Sequence, residues 1–136
     1  VEILGASATD AELIAAVRRW VGLLAADDFE AAVRFLWQGE GAGSMAVSAS
    51  SLREWLGRYE PAPPLSTARP ARVTAPETAG GPFDPLEEVF RRDDGTVSSV
   101  DFSLPFNGEW SELVAFFDVV DVPGGQALKL RDIYIT

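Results

Sequence analysis

The sequence has no cysteine and no histidine. Without cysteine there are no disulfides, no thiolate metal sites and no cysteine nucleophile, and nothing marks a stapled secreted scaffold. Without histidine the commonest general base and the commonest zinc ligand are both missing. Most hydrolase and metalloenzyme readings fall with those two absences, and no cofactor is expected. Positive charge is scarce as well: eleven Lys and Arg stand against twenty-one Asp and Glu, a formal net charge of −10. Such a surface repels phosphate backbones, so nucleic-acid binding is not expected. No apolar run approaches the ~20 residues that span a bilayer, so no membrane partner is expected. The first residues hold no basic stretch followed by an apolar run. No signal peptide is therefore expected there, and the cytoplasm is the expected compartment.

What the chain has in quantity is apolar bulk. Hydrophobic residues make up 47% of its 136 positions, with eight Phe and four Trp. That suffices for a single α+β domain over 1–136 with a sizeable core. The acidity ordinarily serves solubility; its sharper reading is an acidic patch for a basic protein partner.

Helical signals come first. Thr9 and Glu12 have capping-box spacing, and behind them Leu13, Val17, Trp20, Val21 and Leu24 recur at helical spacing. This predicts a first helix over 10–26, with Arg18 and Arg19 off its apolar stripe. Asp27 or Asp28 can cap a second helix running to about Trp37, so the two helices must meet at a tight corner. Residues 38–50 lack periodicity and read as a glycine-rich loop with a short strand near Val47. The glycines are followed by no Lys and preceded by no strand, so they are not a phosphate loop. Ser51 and Glu54 again have capping-box spacing, and Leu52, Trp55, Leu56 and Tyr59 predict a short third helix. Seven of the nine prolines fall between Pro61 and Pro85, making 60–85 a Pro/Gly-rich connection with one short strand at 71–74.

The last fifty residues read as sheet. A first strand covers 86–92 and ends in an Asp93-Asp94-Gly95 turn. From Val97 to Phe106 the alternation is clean, with Val100, Phe102, Leu104 and Phe106 on one face and Ser99, Asp101 and Ser103 on the other. Asn107-Gly108 is the strongest hairpin signal in the chain. The return strand, Trp110 to Val122, is apolar on both faces: Leu113, Ala115, Phe117 and Val119 against Trp110, Val114, Phe116 and Val120. A strand of that kind is covered on both faces. A last strand over 127–135 completes an antiparallel sheet of four to six strands.

Three amphipathic helices followed by a curved antiparallel meander resemble the nuclear transport factor 2-like, or cystatin-like, cone fold. The segment from Leu23 to Ala32 looks like the helix-to-helix corner of that fold. The C-terminal half also resembles an uncharacterised bacterial domain family of unknown function, through Gly108-Glu109-Trp110-Ser111-Glu112-Leu113 and Leu130-Arg131-Asp132-Ile133-Tyr134-Ile135. The resemblance implies three helices packed on a cone-like sheet with a pocket at its open end. Ketosteroid isomerase-like and limonene-epoxide-hydrolase-like members place Asp, Tyr, Arg or His in that pocket. Other members are dimerisation modules or immunity proteins that bind a toxin, and fold alone does not choose among them.

Three residues are candidates for catalysis. Asp118 shares strand parity with Val114, Phe116 and Val120, where desolvation would raise its pKa toward that of a general base; the ordinary reading is a strand-end carboxylate exposed or paired with an Arg. Asp101 can face a cone interior or water, and water is the ordinary answer for a polar strand face. Pairing 106 with 109 would set 101 opposite 114, leaving Asp101 and Asp118 roughly 13 Å apart at ~3.3 Å per residue. That is too far to share a proton. Tyr59 is the third candidate. Trp20, Trp37, Trp55, Tyr59, Trp110 and Phe116 could line a ligand pocket or an interface, though aromatics on helical stripes are ordinarily core. Adjacent acids at Asp27-Asp28 and Asp93-Asp94 lack calcium-loop spacing, so no metal is expected.

The leading expectation is a non-enzymatic binding or interaction module. It forms a homodimer through the sheet, because a second subunit would cover the second face of strand 110–122. A basic protein partner, in the form of a toxin neutralised by an immunity-type protein, is one concrete version. The alternative is a small-molecule-binding protein or cofactor-free enzyme with an apolar pocket between helices and sheet.

Overall fold

The computed structural model describes residues 1–39, 47–59 and 72–135. Three helices lead, α1 (Asp10–Ala25), α2 (Phe29–Phe35) and α3 (Ala49–Gly57), and a 3-10 turn at Pro76–Thr78 follows them. Four strands come after: β1 (Glu87–Arg91), β2 (Val97–Phe106), β3 (Glu109–Val122) and β4 (Gly125–Ile135). They form one antiparallel sheet in chain order, so the α+β class with helices ahead of a four-stranded meander is as the sequence predicts.

Local chemistry sets the helix ends. Thr9 Oγ1 accepts from the Glu12 N–H while the Glu12 carboxylate accepts from the Thr9 N–H, so the predicted capping box starts α1. At its other end Asp27 adopts φ 61°, its N–H donates to Leu24 O, and the Asp28 N–H donates to Leu23 O. That is a Schellman closure with Asp in the left-handed position where glycine is commoner. Asp28 then caps α2 by accepting from the Ala31 N–H at 3.1 Å. Two aspartates thus close one helix and open the next.

Three local expectations shift. The box of α3 forms between Ser48 and Ser51 rather than Ser51 and Glu54, so the helix begins earlier, at Ala49. The second helix stops at Phe35, not Trp37: Leu36 is extended, and the Trp37 N–H donates to Leu128 O on β4 at 2.8 Å. Tertiary pairing there outweighs one more helical turn. Val47 joins no strand; the Gln38 side-chain amide brackets its N–H and C=O. The rest of the glycine-rich loop, 40–46, and the proline-rich stretch 60–71 lie outside the described residues. The strand expected at 71–74 is a single bridge from Val73 to Phe106.

One face of the sheet carries the helices. Leu13, Val17, Trp20 and Val21 of α1 form a core with Val100, Phe102, Phe117 and Leu128, all essentially fully buried. Trp20 meets Phe117 edge-on, centroids 5.1 Å apart, and its Nε1–H donates to Ala32 O, tying α1 to β3 and α2 together. Arg18, off the apolar stripe, reaches Glu87 on β1, and Arg91 reaches Asp10. Two irregularities interrupt the alternation. Ser103 pairs with Val114 and Pro105 with Trp110, so three residues of β3 oppose Leu104 alone. Ser111 fills this bulge, its Oγ donating to Leu104 O and accepting from the Leu113 N–H. On β4, Phe116 pairs with Asp132 and Phe117 with Leu130, which leaves Arg131 as the extra residue.

Asn107 and Gly108 both have positive φ, 53° and 83°, as a two-residue hairpin turn requires. The second turn runs through Pro123-Gly124 to Gly125, whose φ is 152°. The Gly125 turn lies against the N-terminal segment, where Leu4 and Gln126 exchange backbone hydrogen bonds. A Cβ at Gly125 would stand 1.8 Å from Leu4 O. Gly125→Ala is therefore expected to cost roughly 2 kcal/mol or more. Gly22→Ala, in α1 with nothing within 4 Å of the added methyl, should gain about 0.5–1 kcal/mol. Urea midpoints of the two variants moving in the same direction would contradict this pairing of causes.

Candidate functional site

The second face of the sheet has a regular layout. Reading across β1, β2, β3 and β4, one row is Phe90, Ser99, Asp118 and Lys129. The next is Glu88, Asp101, Phe116 and Asp132. A third runs Ser103, Val114 and Tyr134, with Leu86 exchanging hydrogen bonds with Ser103 at its edge. The core that joins helices to sheet takes in Ala115 and Phe117 of β3 but not Val114 or Phe116. No described helix covers this outer face.

Val114 and Phe116 are buried even so, at 2% and 5% exposure. Tyr134 stacks on Phe116, centroids 4.3 Å apart and planes 18° from parallel, and the Arg131 guanidinium lies 5.9 Å from the same ring. Apolar surface reaches solvent one layer further out, at Phe90 (40%) and Tyr134 (49%). Charge surrounds it: Glu88, Asp101, Asp118 and Asp132 against Lys129 and Arg131.

Asp101 is the unusual member. Its Oδ1 is buried and has no hydrogen-bond partner among the described residues. Burial holds its carboxyl above the ordinary value; nearby Arg131 opposes the rise and Glu88 adds to it. Asp118 instead keeps Arg131 at 3.7 Å and is about one-third exposed, the ordinary arrangement for that position. The register corrects their spacing. Because of the three-residue bulge at Ser111, Asp101 faces Phe116 rather than residue 114, so Asp118 is its diagonal neighbour on one face. Such positions are about 7–8 Å apart, closer than an unbroken hairpin allows.

The remaining candidates are elsewhere. Tyr59, on the helix side, packs on Phe106 at 4.7 Å, and its buried hydroxyl has no hydrogen-bond partner among the described residues. Burial raises its pKa; a polar contact with Ser111 opposes that and Glu112 reinforces it, so the phenol stays protonated. Trp20 is core, Trp110 sits in the core edge-on to Phe102, and Trp55 packs half-buried against it. Trp110 was expected on the face of Val114, but its ring lies in the helix-side core against Phe102. Trp37 is half-buried with Lys129 Nζ 5.9 Å over its ring. Asp118, Asp101 and Tyr59 therefore do not converge, and no three acidic side chains gather as a metal site among the described residues.

Two open clefts mark the helix side. One of about 420 Å³ lies among Ala8, Thr9, Asp10, Arg91 and Thr96, its arginine already bound to Asp10. The other, about 400 Å³, lies where α1, α2 and α3 meet the end of β2. Sequence reasoning missed Arg131, Tyr134, Glu88 and Asp132 as parts of one surface. Only the register across four strands assembles them, and no local pattern signals it.

No protein-family model matches the chain, and no match is found among the curated proteins or the solved structures.

Asp101 makes stability depend on pH in a direction that can be worked out. Its folded pKa lies above the unfolded value of 3.8. The stability it contributes is full below that value and is lost as pH rises through the folded pKa. Asp101→Asn should therefore stabilise the fold near pH 7, with the gain vanishing near pH 3. Urea unfolding of both proteins at the two pH values checks this; an unchanged midpoint near pH 7 would refute a desolvated carboxylate.

Proposed function

We propose that this chain is a non-enzymatic interaction module that uses the outer sheet face to hold a basic protein. An immunity-type role, with a toxin as the basic partner, is the concrete form of this reading, and a cytoplasmic setting goes with it. The observation that carries it is Asp101 Oδ1, a buried acceptor without a partner among the described residues, beside the Phe116–Tyr134 stack. A buried polar atom ordinarily has a hydrogen-bond partner, and a cation from another protein supplies the strongest one. Four carboxylates against two cations on the face give it a negative field that steers a basic partner. The exposed rings of Phe90 and Tyr134 offer the aromatic contact area typical of protein interfaces. Tyr59 lies on the helix side, away from Asp101 and Asp118 on the outer face, and that separation argues against a catalytic site built from the three. Helices followed by an antiparallel meander are also the order of the nuclear transport factor 2-like cone, and membership of that fold remains part of the proposal.

A second copy of the chain is the second reading, favoured by the exposed Phe90 and Tyr134. Its weakness is electrostatic, since the face would meet its own excess of carboxylates. Self-association through this face should appear in light scattering as a dimer that Tyr134→Ser converts to monomer.

Affinity capture from the native cell tests the main reading. Wild type should retain a basic protein that raised salt releases. Tyr134→Ser and Glu88→Gln, both at exposed positions, should each weaken retention roughly tenfold, while Arg34→Gln on α2 leaves it unchanged. Retention that ignores all outer-face substitutions would sink the proposal.

A further inference from the structure

The cleft where the helices meet the end of β2 has walls of Leu24, Phe29, Leu56, Val73 and Phe106. Its volume of about 400 Å³ falls in the ordinary range of small-ligand sites. Its charge differs from that of the rest of the molecule. Arg53 and Arg72 both belong to the lining, against a single carboxylate, Asp27, among the described residues. The cleft is thus net positive in a chain of net charge −10.

Those two arginines are unlike most others. Arg18, Arg19, Arg58, Arg91 and Arg131 each have a carboxylate within 4.0 Å. Among the described residues Arg53 and Arg72 have none. The Arg53 guanidinium lies 4.7 Å over the ring of Phe29, a contact that uses its flat face and leaves the N–H donors at its edge available. Arg72 is fixed through its backbone, whose N–H donates to Asn107 Oδ1 and whose C=O accepts from the Asn107 N–H. Its side chain is held by neither bond. A guanidinium presents a donor fork that matches a carboxylate in two parallel hydrogen bonds.

From this juxtaposition of apolar walls and two guanidinium groups without a carboxylate partner among the described residues we infer that the cleft binds a medium-chain carboxylic acid, alkyl chain against Leu24, Leu56 and Phe106 and carboxylate on Arg53 and Arg72. The site is separate from the outer sheet face and stands whether or not that face binds a protein. Binding is non-covalent and requires no co-reactant.

Calorimetric titration of the full chain with decanoate, below its micelle threshold, tests the inference. Decanoate should bind, and octanoate should bind roughly 4- to 15-fold more weakly, the range for two methylenes half to fully removed from water. Decanol should be about tenfold or more weaker, having lost the charged hydrogen bonds. Arg53→Gln and Arg72→Gln should each reduce decanoate affinity about tenfold while leaving decanol affinity unchanged. Both positions are exposed, and an unaltered melting temperature confirms that the variants fold. Tyr134→Ser should bind decanoate as wild type does. Absence of decanoate binding, equal affinity for decanol, or arginine variants that bind normally would each overturn the inference. Binding to anionic phospholipid vesicles without binding to soluble decanoate would overturn it in favour of a membrane surface.

Discussion

Phe117 and Phe116 are neighbours on β3, and their side chains leave the sheet in opposite directions. Phe117 receives the edge of Trp20, whose indole N–H is anchored on Ala32, so one contact keys α1, α2 and the sheet to each other. Phe116 points where no described helix goes and is buried by Tyr134 and Arg131 instead. A central strand apolar on both faces needs cover on both. The helices supply one side, and on the other, among the described residues, Tyr134 and Arg131 of β4 pack on Phe116. The requirement for a second subunit over β3 is thereby reduced, and the apolar surface left to a partner belongs to Phe90 and Tyr134.

The two strand irregularities decide which residues meet. Without the bulge at Ser111, Asp101 would face residue 114 and lie far from Asp118. Without the extra residue on β4, Arg131 would alternate to the helix side rather than reach Asp118 and the Phe116 ring. Bulges re-aim side chains at the cost of a local break in the ladder. Here they gather four acids, two cations and an aromatic stack on one face, where one oxygen of Asp101 is buried without a partner among the described residues. An ordinary solvated sheet face would leave such an oxygen to water.

Much of the fold was legible in the sequence because its signals are local. The Thr9–Glu12 box, the stripe from Leu13 to Leu24, the Asn107-Gly108 turn and the alternation of β2 each act over a few residues. What escaped depends on partners distant in sequence. Trp37 leaves α2 for a bond to β4, and the α3 cap moves to a serine pair that competes with Ser51–Glu54 on equal local terms. The candidate site was half legible. Asp101, Asp118 and Phe116 stood out as residues, but their register did not, since nothing in Ser111-Glu112-Leu113 announces a bulge. Arg53 and Arg72 looked like a helix residue and a strand residue; only the packing of α3 beside the end of β2 brings them to one cleft.

The central claim is that the working surface is the outer face of the sheet rather than the helix side. A methyl-labelled sample titrated with the captured basic partner tests it most directly by NMR. The account predicts intermolecular cross-saturation at Val114 and Val120, with Leu13, Val17 and Leu52 unaffected. Saturation confined to the helices, or to the cleft residues Leu24 and Leu56, would contradict it.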